Sequence, residues 1–499
     1  MLHFEVQDKW RERADYSPSV KKPSQYPSFV LVFNNDWNDY SYKTWFCLFY
    51  FDKACDIHKL GEFKLIKRDT KNTFETLDEK FDGSLGSEYC SLGITPEYYD
   101  NIYSLFSTTT TANDLLTSLC DCAYNPIINE KFAEEEGFML SLLREESSSQ
   151  AIIEAPFLLS GKDKEAAYSF SLHFAPNYLK GAYTDWNVRL LYKAPRFMRT
   201  VGLIGENGVG KTQMLKTLVE SLISEIKNGQ SQPLFRSCLT ISSTPFDGYD
   251  DIAVNFEKYR IPYKCFSIEQ NIKSTETNIR SCIKTIFKKP LIHSKSAIET
   301  YKDSVDTFLG ENTGNFLIYN INSEEYKLES ERLHEVISIL SSGQLHILNL
   351  MTFIYAHIHL SSILIIDEPE VHMHPQIIVL FMNMLGQILD KFRSFAIIAT
   401  HSPLIVREMV SKNVYLMKTM QGNIPFVSNV AFETFGADTS ELYSRIFQYD
   451  EKSSLFYNYV RTLTKNNISS FEDALDHVKE FAPNLSLNAR LSIRDYIDE

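Results

Sequence analysis

The stretch Gly205-Glu-Asn-Gly-Val-Gly-Lys-Thr212 decides the fold, because it matches the pattern G-x-x-x-x-G-K-[ST]. It follows the apolar run Val201–Ile204 and precedes a predicted helix over residues 211–227. Glycines in such a turn allow backbone N–H groups to approach phosphate oxygens, and the helix start adds its positive dipole end. Strand, loop and helix together predict a phosphate-binding P-loop and disfavour an ordinary glycine-rich turn.

Two side chains of this loop have separate tasks in phosphate binding. The Lys211 ammonium would reach the β- and γ-phosphates of a nucleotide, and the Thr212 hydroxyl would bind Mg²⁺. We therefore expect ATP and Mg²⁺ as ligands. The residues predicted to contact the nucleotide are Gly205, Glu206, Asn207, Gly208, Val209, Gly210, Lys211, Thr212 and Gln213.

A second motif lies at the end of the apolar run Ile363–Ile366, which is followed by Asp367 and Glu368. An acid at the end of a buried strand can hold Mg²⁺ opposite a P-loop, and the next carboxylate can polarise the attacking water. A strand that ends in Asp-Glu is weak evidence alone, but it gains weight after a P-loop. We predict Asp367 as a metal ligand and Glu368 as the general base.

Two further motifs flank this acidic pair. Leu340-Ser-Ser-Gly-Gln344 opens a predicted helix 23 residues before Asp367, where a hydroxyl and free N–H groups would offer an anion site. His401 follows the apolar run Ala396–Ala399, where an imidazole could contact the γ-phosphate. Alone, the first would be an ordinary helix cap and the second a structural histidine. The predicted binding residues of the first motif are Ser341, Ser342, Gly343 and Gln344.

Hydrophobic patterning predicts the elements around these motifs. The predicted strands are 29–33, 45–51, 63–66, 168–174, 188–192, 237–242, 363–366 and 396–399. Residues 96–143 have helical spacing, with Asp114 as a predicted N-cap, and the region of about 267–350 is predicted to be mainly helical. Runs of apolar residues without alternation, as in 363–366, indicate parallel strands buried on both faces.

Composition limits the class of protein. The 499 residues include 44% hydrophobic and 13% aromatic residues, so disorder is excluded as the main description. The net charge of −14 disfavours general nucleic-acid affinity. Eight cysteines without a CxxC pair are expected to be reduced and buried. The sequence has no apolar run long enough for a membrane span and no secretory signal, so we expect a cytoplasmic protein.

The four motifs, in this order, resemble those of ATP-binding-cassette (ABC) ATPases over residues 166–450. The segments Glu368–Pro375 and Ala399–Pro403 are similar to the overcoming-lysogenization-defect (OLD)-like branch, related to Rad50 and SMC heads. Ser242–Asp247, with Phe435–Leu442, further resembles ATPase subunits of Septu anti-phage systems (PtuA), including retron-associated versions.

The resemblance implies an α/β fold, a P-loop NTPase of ABC-ATPase type with a mixed sheet, helices on both faces and an inserted helical lobe. We divide the chain into an N-terminal α+β accessory domain (1–165), the ATPase domain (166–450, with the lobe at about 267–350) and C-terminal helices (451–499). The family mechanism further implies a head-to-tail homodimer that sandwiches two ATP molecules.

In such a dimer, ATP on Lys211 and Thr212 of one protomer would be closed over by Ser342 and Gly343 of the other, while His401 senses the γ-phosphate. The residues after Glu370, through His374, would line the dimer seam. The sequence departs from the family in lacking the usual Q-loop glutamine, for which Ser243, Thr244 and Asp247 stand after strand 237–242. The residue that stacks on adenine is unassigned; Phe174, Tyr178, Tyr183 and Trp186 are candidates.

The residues after His401 contain no DxD pattern of a TOPRIM nuclease and no H-N-H arrangement. The sequence therefore predicts a regulatory ATPase of an anti-phage complex that controls a partner nuclease, with HNH-type favoured and TOPRIM-type possible. Residues 273–302 carry seven basic side chains against two acidic ones, which indicates a solvated helix face, a site for nucleic acid (retron RNA or DNA included) or a site for an acidic partner. The alternatives are a Rad50/SMC-like DNA-binding ATPase and, less favoured, a transporter ATPase.

Overall fold

The computed structural model divides the chain into two compact units, Met1–Gly436 and Ala437–Glu499. The structure describes residues 1–8, 19–106, 109–160, 167–177, 181–224, 233–244, 247–255, 259–267, 272–287, 289, 297–310, 313–320, 326–328, 330–371, 373–419, 424–446, 455–465 and 470–498. Within these residues, no helix is long and apolar enough to cross a membrane.

The first unit begins with a mixed sheet. Its strands are β1 (His3–Gln7), β2 (Ser28–Phe33), β3 (Trp45–Phe51), β4 (Ile57–Lys67), β5 (Lys80–Asp82) and β6 (Tyr89–Gly93). Their order is β5-β1-β2-β3-β4-β6, with β1 and β2 parallel. The predicted strands 29–33 and 45–51 are confirmed, and the predicted strand 63–66 is the second half of the longer β4.

Helices cover this first sheet. They are α1 (Pro96–Leu105), α2 (Thr109–Ser118), α3 (Pro126–Phe132) and α4 (Glu146–Ser160), with a π-helical turn at Phe138–Leu142. The prediction that Asp114 caps a helix is wrong, because α2 begins five residues earlier, within the polar threonine run. Ile152 of α4 packs in the core under the first sheet, whereas Phe157 packs in the core of the next. The predicted domain boundary near 165 lies outside the described residues.

A hairpin of β7 (Phe170–Phe174) and β8 (Thr184–Val188) follows. The prediction of a strand over residues 188–192 is wrong, since β8 ends at Val188, where that strand was expected to begin. The reason is that β8 alternates buried and exposed residues, with the polar Thr184 and the large Trp186 both pointing inward. Its apolar character is therefore weaker than that of the residues after it.

Three of the four sequence motifs follow strands of the second sheet. The remaining strands are β9 (Thr200–Gly205), β10 (Ser237–Ser242), β11 (Tyr263–Ser267), β12 (Ile318–Asn320), β13 (Tyr326–Leu328), β14 (Ser362–Asp367), β15 (Phe395–Thr400), β16 (Val414–Thr419) and β17 (Pro425–Asn429). The sheet order is β11-β10-β14-β15-β9-β16-β17, and only the pairing of β17 is antiparallel. Every residue of β9, β10, β14 and β15 is buried, which confirms the predicted burial on both faces.

The helices of this region are α5 (Lys211–Ile223), α6 (Tyr249–Asn255), α7 (Ile272–Phe287), α8 (Ala297–Leu309), α9 (Thr313–Leu317), α10 (Ser330–Ile339), α11 (Ser342–His357), α12 (Pro375–Lys391) and α13 (Pro403–Val406). The predicted helix 211–227 ends at Ile223 in the structure. The region of about 267–350 is mainly helical as predicted, but it also contains the β12–β13 hairpin. Because the strands of the second sheet are parallel from β11 to β16, their carboxyl ends, and the motifs that follow them, meet at one edge.

The second unit is small and helical. It contains α14 (Thr439–Arg445), α15 (Leu455–Lys465), α16 (Phe471–Lys479) and α17 (Leu487–Asp498). Val460, Ala474, Val478 and Ile493 form its buried core. The prediction of C-terminal helices within 451–499 is confirmed by α15, α16 and α17, and the predicted boundary at 450 lies outside the described residues.

Candidate nucleotide-binding site

The P-loop connects the buried end of β9 to the first turn of α5. Gly205 is required by packing, because a Cβ atom there would lie 2.4 Å from the Met417 carbonyl oxygen of the neighbouring β16. Gly208 and Gly210 have φ values of 77° and 103°, which side chains with a Cβ rarely adopt. Glu206 and Asn207 are exposed, Val209 is buried in the core of the sheet, and Gln213 is half-buried on α5. The loop thus keeps an open backbone face above the helix start.

Lys211 is buried at the centre of this loop, with only 5% of its surface exposed. Its Nζ donates to the carbonyl oxygens of Gly205 and Glu206, each at 3.2 Å, and to Nε2 of His401 at 2.5 Å. Burial lowers the pKa of Lys211, and the carboxylates of Glu368, Asp367 and Glu370 oppose that effect. Because an ammonium can only donate, His401 Nε2 accepts from Lys211 when the imidazole is neutral, and it can donate to Glu368 only when that nitrogen carries a proton.

Asp367 ends β14 and is 2% exposed. Its Oδ2 accepts a hydrogen bond from the Tyr249 hydroxyl at 3.0 Å, whereas its buried Oδ1 has no hydrogen-bond partner among the described residues. Burial raises the pKa of Asp367 to about 6, although the hydroxyls of Thr212 and Tyr249 act in the opposite direction. A buried carboxylate oxygen without a partner is costly unless a cation or another donor binds it.

This arrangement fits Mg²⁺. A hard divalent cation takes oxygen ligands from a hydroxyl and a carboxylate in P-loop sites, and the Thr212 hydroxyl lies close enough to Asp367 to affect its pKa. Thr212 and the unpartnered Oδ1 of Asp367 are therefore the residues that would hold the ion. The fit to Mg²⁺ rests on Oδ1 of Asp367, which has no hydrogen-bond partner among the described residues because Tyr249 donates to Oδ2 instead.

Glu368 has an unusual backbone conformation, with φ of 49°. Its N–H donates to the Ala399 carbonyl oxygen at 2.9 Å, and its own carbonyl accepts a hydrogen bond from the Ser243 hydroxyl. Its Oε1 lies 3.3 Å from His401 Nε2, and the side chain is 37% exposed. The contact with His401 lowers the pKa of Glu368, with smaller contributions of the same sign from the positive charge of Lys211. The carboxylate is therefore ionised and open to solvent water.

Glu370 holds the backbone next to His401, at the end of β15. Its Oε1 accepts hydrogen bonds from the backbone N–H of His401 at 2.6 Å and from the Thr400 hydroxyl at 2.8 Å. Burial raises the pKa of Glu370. The sequence motif contains this residue, but its role in holding the start of the His401 loop required the structure.

The residues from Ser341 to Gln344 form a helix start on a different element from the P-loop. Ser341 and Gln344 make a capping box at the N-terminus of α11, so the reading of this motif as a helix start is confirmed. Ser341 and Ser342 are exposed, and Gly343 packs so closely that a Cβ would lie 2.9 Å from Ile377. His374 caps α12, and His372 lies outside the described residues.

The structure sorts the remaining candidates. Phe174 and Trp186 are buried in the core and do not offer a stacking surface, whereas Tyr183 is 58% exposed beside His173; Tyr178 lies outside the described residues. In the basic stretch, Arg280 pairs with Glu276 and Lys289 donates to a backbone carbonyl. Lys288 and Lys295, and the side chain of Lys273, are not among the described parts. Arg280 and Lys289 are therefore used internally.

The sheet and its motifs define a P-loop NTPase of the ABC-ATPase type. The P-loop strand β9 and the acidic strand β14 are separated by β15, which carries His401 at its end, and all three deliver their motifs to one edge. A family model described as "AAA domain, putative AbiEii toxin, Type IV TA system" matches residues 284–407, which include Ser342, Asp367 and His401.

The chain is also similar to known proteins over greater lengths. Protein ea59 of Escherichia phage lambda is 24% identical over 540 aligned positions, which cover 100% of this chain and 98% of that protein. A nucleotide-free ATP-binding cassette from an ABC transporter is 12% identical (57% of this chain, 96% of that one, TM-score 0.30), and the SMC head domain from Thermotoga maritima is 10% identical (53% and 99%, TM-score 0.28). The fold class of this chain is therefore defined by its sheet order and its motifs.

Replacing Asp367 with asparagine is expected to raise the melting temperature of the nucleotide-free protein at pH 8. Because the pKa of the buried carboxyl is raised from 3.8 to about 6, its ionisation opposes folding above pH 6. That cost is on the order of 3 kcal/mol and disappears below about pH 4, where the group is protonated in both states. Thermal unfolding at pH 8 and pH 5 tests this, with the exposed Asp100→Asn as control. An equal shift at both pH values would contradict the prediction.

Proposed function

We propose that the protein binds ATP with Mg²⁺ at this site and hydrolyses it to ADP and phosphate. The observation that carries the proposal is the convergence of a buried lysine, a buried carboxylate with an unpartnered oxygen and an exposed, ionised glutamate at one sheet edge. Lys211 and Asp367 are nearly inaccessible, yet the Lys211 ammonium contacts the Gly205 carbonyl and the Asp367 carboxyl interacts with the Thr212 hydroxyl. Buried charges of this kind are kept where a charged ligand is bound.

The residues have distinct roles in the proposed reaction. Phosphate oxygens would replace His401 and the P-loop carbonyls as acceptors for Lys211, which places its charge where negative charge develops. Mg²⁺ held by Thr212 and Asp367 would neutralise charge on the phosphates. Glu368 would then accept a proton from the attacking water, since its carboxylate is ionised and accessible. Released from Lys211, His401 could donate to Glu368 or to the γ-phosphate.

Hydrolysis would take place between two protomers arranged head to tail. Ser342 and Gly343 are at an exposed helix start, as expected for residues that act on the nucleotide of a second copy. This arrangement predicts complementation. A Lys211→Ala chain and a Ser342→Arg chain are each expected to be inactive, whereas their mixture forms heterodimers with one intact site and regains ATPase activity.

Phosphate release measured for each variant and for the mixture tests this arrangement. Co-purification of differently tagged chains serves as the control that mixed dimers form. Mixed dimers without recovered activity would contradict the shared site but not ATP binding by a single protomer.

We further propose a regulatory role in an anti-phage complex of the Septu or retron-associated kind, in which the ATPase controls a partner nuclease. One support is the sequence resemblance. A second is the similarity to the phage protein ea59 over nearly the full length of both chains, and a third is the family description, which names a toxin–antitoxin system. The test is phage plating on cells that carry the native gene cluster with wild-type or Lys211→Ala protein. Equal protection by both would contradict ATP control. Strong stimulation of hydrolysis by duplex DNA, without a nuclease partner, would favour the DNA-processing alternative instead.

A further inference from the structure

Ser243, directly after β10 where the resembling ATPases have a glutamine nearby, and Tyr249, the first residue of α6, contact the two acidic residues of the site. We propose that Ser243 and Tyr249 are positioning residues, of which Ser243 fixes the backbone of the general base Glu368 and Tyr249 orients the metal ligand Asp367. The inference rests on the proposed function and extends it, because it assigns the task of the missing glutamine to two residues of a different chemical type.

Ser243 is 5% exposed and contacts the acidic motif from the neighbouring strand. Its hydroxyl donates toward the carbonyl oxygens of both Asp367, at 3.0 Å, and Glu368. A serine hydroxyl has a single hydrogen, so the two carbonyls share it. Since β10 and β14 are paired in parallel up to Ser242 and Asp367, Ser243 is the first residue beyond the ladder that can hold the turn of the acidic motif.

That turn needs to be held, because Glu368 is in the left-handed region with φ of 49°. A residue with a Cβ is strained there and persists in that conformation only where its surroundings fix it. Three hydrogen bonds do so: the N–H of Glu368 donates to Ala399, and its carbonyl accepts from the Ser243 hydroxyl and from the Val371 N–H. The left-handed turn sets the direction in which the Glu368 carboxylate leaves the strand end. Loss of the serine hydroxyl therefore removes the side-chain member of these three constraints on the general base.

Tyr249 acts on the other acid. Its hydroxyl donates to Oδ2 of Asp367 at 3.0 Å, and this contact leaves Oδ1 as the oxygen available to a cation. The ring is 2% exposed, and its backbone carbonyl accepts a hydrogen bond from Tyr263, which in turn bonds to Thr240 on β10. Burial of the ring and the hydrogen bond to its backbone carbonyl thus hold Tyr249 in place beside Asp367. Partners of this kind commonly change metal affinity by about 10–100-fold when they are removed.

The two residues predict different kinetic signatures, which a purely structural role would not produce. For Ser243→Ala we expect kcat to fall about tenfold with the KM for ATP unchanged, because the general base is misplaced and the nucleotide contacts remain. The effect should vanish in a Glu368→Gln background, since the serine acts through Glu368. The matched control is Ser237→Ala, which removes a buried, hydrogen-bonded serine at the opposite end of β10.

For Tyr249→Phe we expect the Mg²⁺ concentration at half-maximal activity to rise about tenfold. A direct binding readout accompanies it: calorimetric titration of ATP in Mg²⁺ and in EDTA should show a smaller gain from Mg²⁺ in the variant than in the wild type. The matched control is Tyr168→Phe, which removes a buried hydroxyl that bonds to Ser361 away from the site.

The outcomes separate this inference from the proposed function. If the wild-type protein binds and hydrolyses ATP but both variants behave like their controls, the positioning roles are wrong and the ATPase assignment stands. If in both variants kcat falls, the Mg²⁺ requirement rises and the melting temperature drops together, Ser243 and Tyr249 have only a structural role and the inference also fails. If the wild type shows no ATP binding, the proposed function itself is overturned.

Discussion

Replacing Glu368 with glutamine is expected to lower the ATP turnover number by about 10²–10⁴-fold while ATP binding is retained, the range that positioned general bases contribute. The amide keeps the shape of the side chain but cannot take a proton from water. The contact of Glu368 with His401, which lowers the pKa of the carboxyl, indicates that the wild-type group is ionised and ready to accept that proton. Phosphate release under single-turnover conditions, with ATP binding by filter retention, measures both quantities.

This variant should also retain ATP and thereby stabilise the dimer, which size-exclusion chromatography with and without ATP would detect. The matched control is Glu220→Gln on the exposed side of α5, which should hydrolyse ATP at the wild-type rate. A Glu368→Gln protein with normal turnover would remove Glu368 from the mechanism. The general base would then have to be another group near the P-loop.

The local parts of the site could be predicted from the sequence because their signals are short-range. A run of four apolar residues that ends in a loop or an acid indicates a buried strand, and β9, β14 and β15 all lie where such runs were found. The positive φ of Gly208 and Gly210 could also be predicted, because glycine favours this conformation without any tertiary contact.

The contacts that orient these residues could not be predicted, because they join parts of the chain that are far apart in sequence. Tyr249 is 118 residues from Asp367, and Ser243 is 125 residues from Glu368. A buried tyrosine looks like any other core residue until the sheet order is known. The left-handed φ of Glu368 has no sequence signal either, since two of the three hydrogen bonds that hold its backbone come from Ala399 and Ser243, which are distant in sequence.

Errors in the element predictions have the same origin. β8 packs Thr184 and Trp186 inward against the second core, so tertiary packing selects residues 184–188 over the more apolar run that follows. In α2, the threonines from Thr109 onward start a helix although their propensity for one is low, and Leu115, Leu116 and Leu119 bury its far end. In both cases the long-range core outweighs the local preference.

Replacing Lys211 with alanine is expected to weaken ATP binding by about 10–100-fold or more and to abolish hydrolysis, since charge-assisted hydrogen bonds contribute about 1.5–3 kcal/mol each. Lys211 is buried at the P-loop and has its ammonium held by two loop carbonyls and His401, so it is already in place for phosphate. Its removal leaves Asp367, Glu368 and Glu370 without their common cation. Repulsion among these carboxylates would then add to the loss of phosphate contact.

Calorimetric titration with ATP and Mg²⁺ measures the affinity, and thermal unfolding without nucleotide checks that the fold persists. The matched control is the exposed Lys412→Ala, because Lys412 precedes β16 at the edge of the sheet opposite the P-loop. Comparison with Glu368→Gln is decisive: that variant should bind ATP without hydrolysing it, whereas Lys211→Ala should do neither. If Lys211→Ala bound ATP as tightly as the wild type, the phosphates would have to lie elsewhere, and the roles inferred for Thr212, Asp367 and the loop after β10 would fail with it.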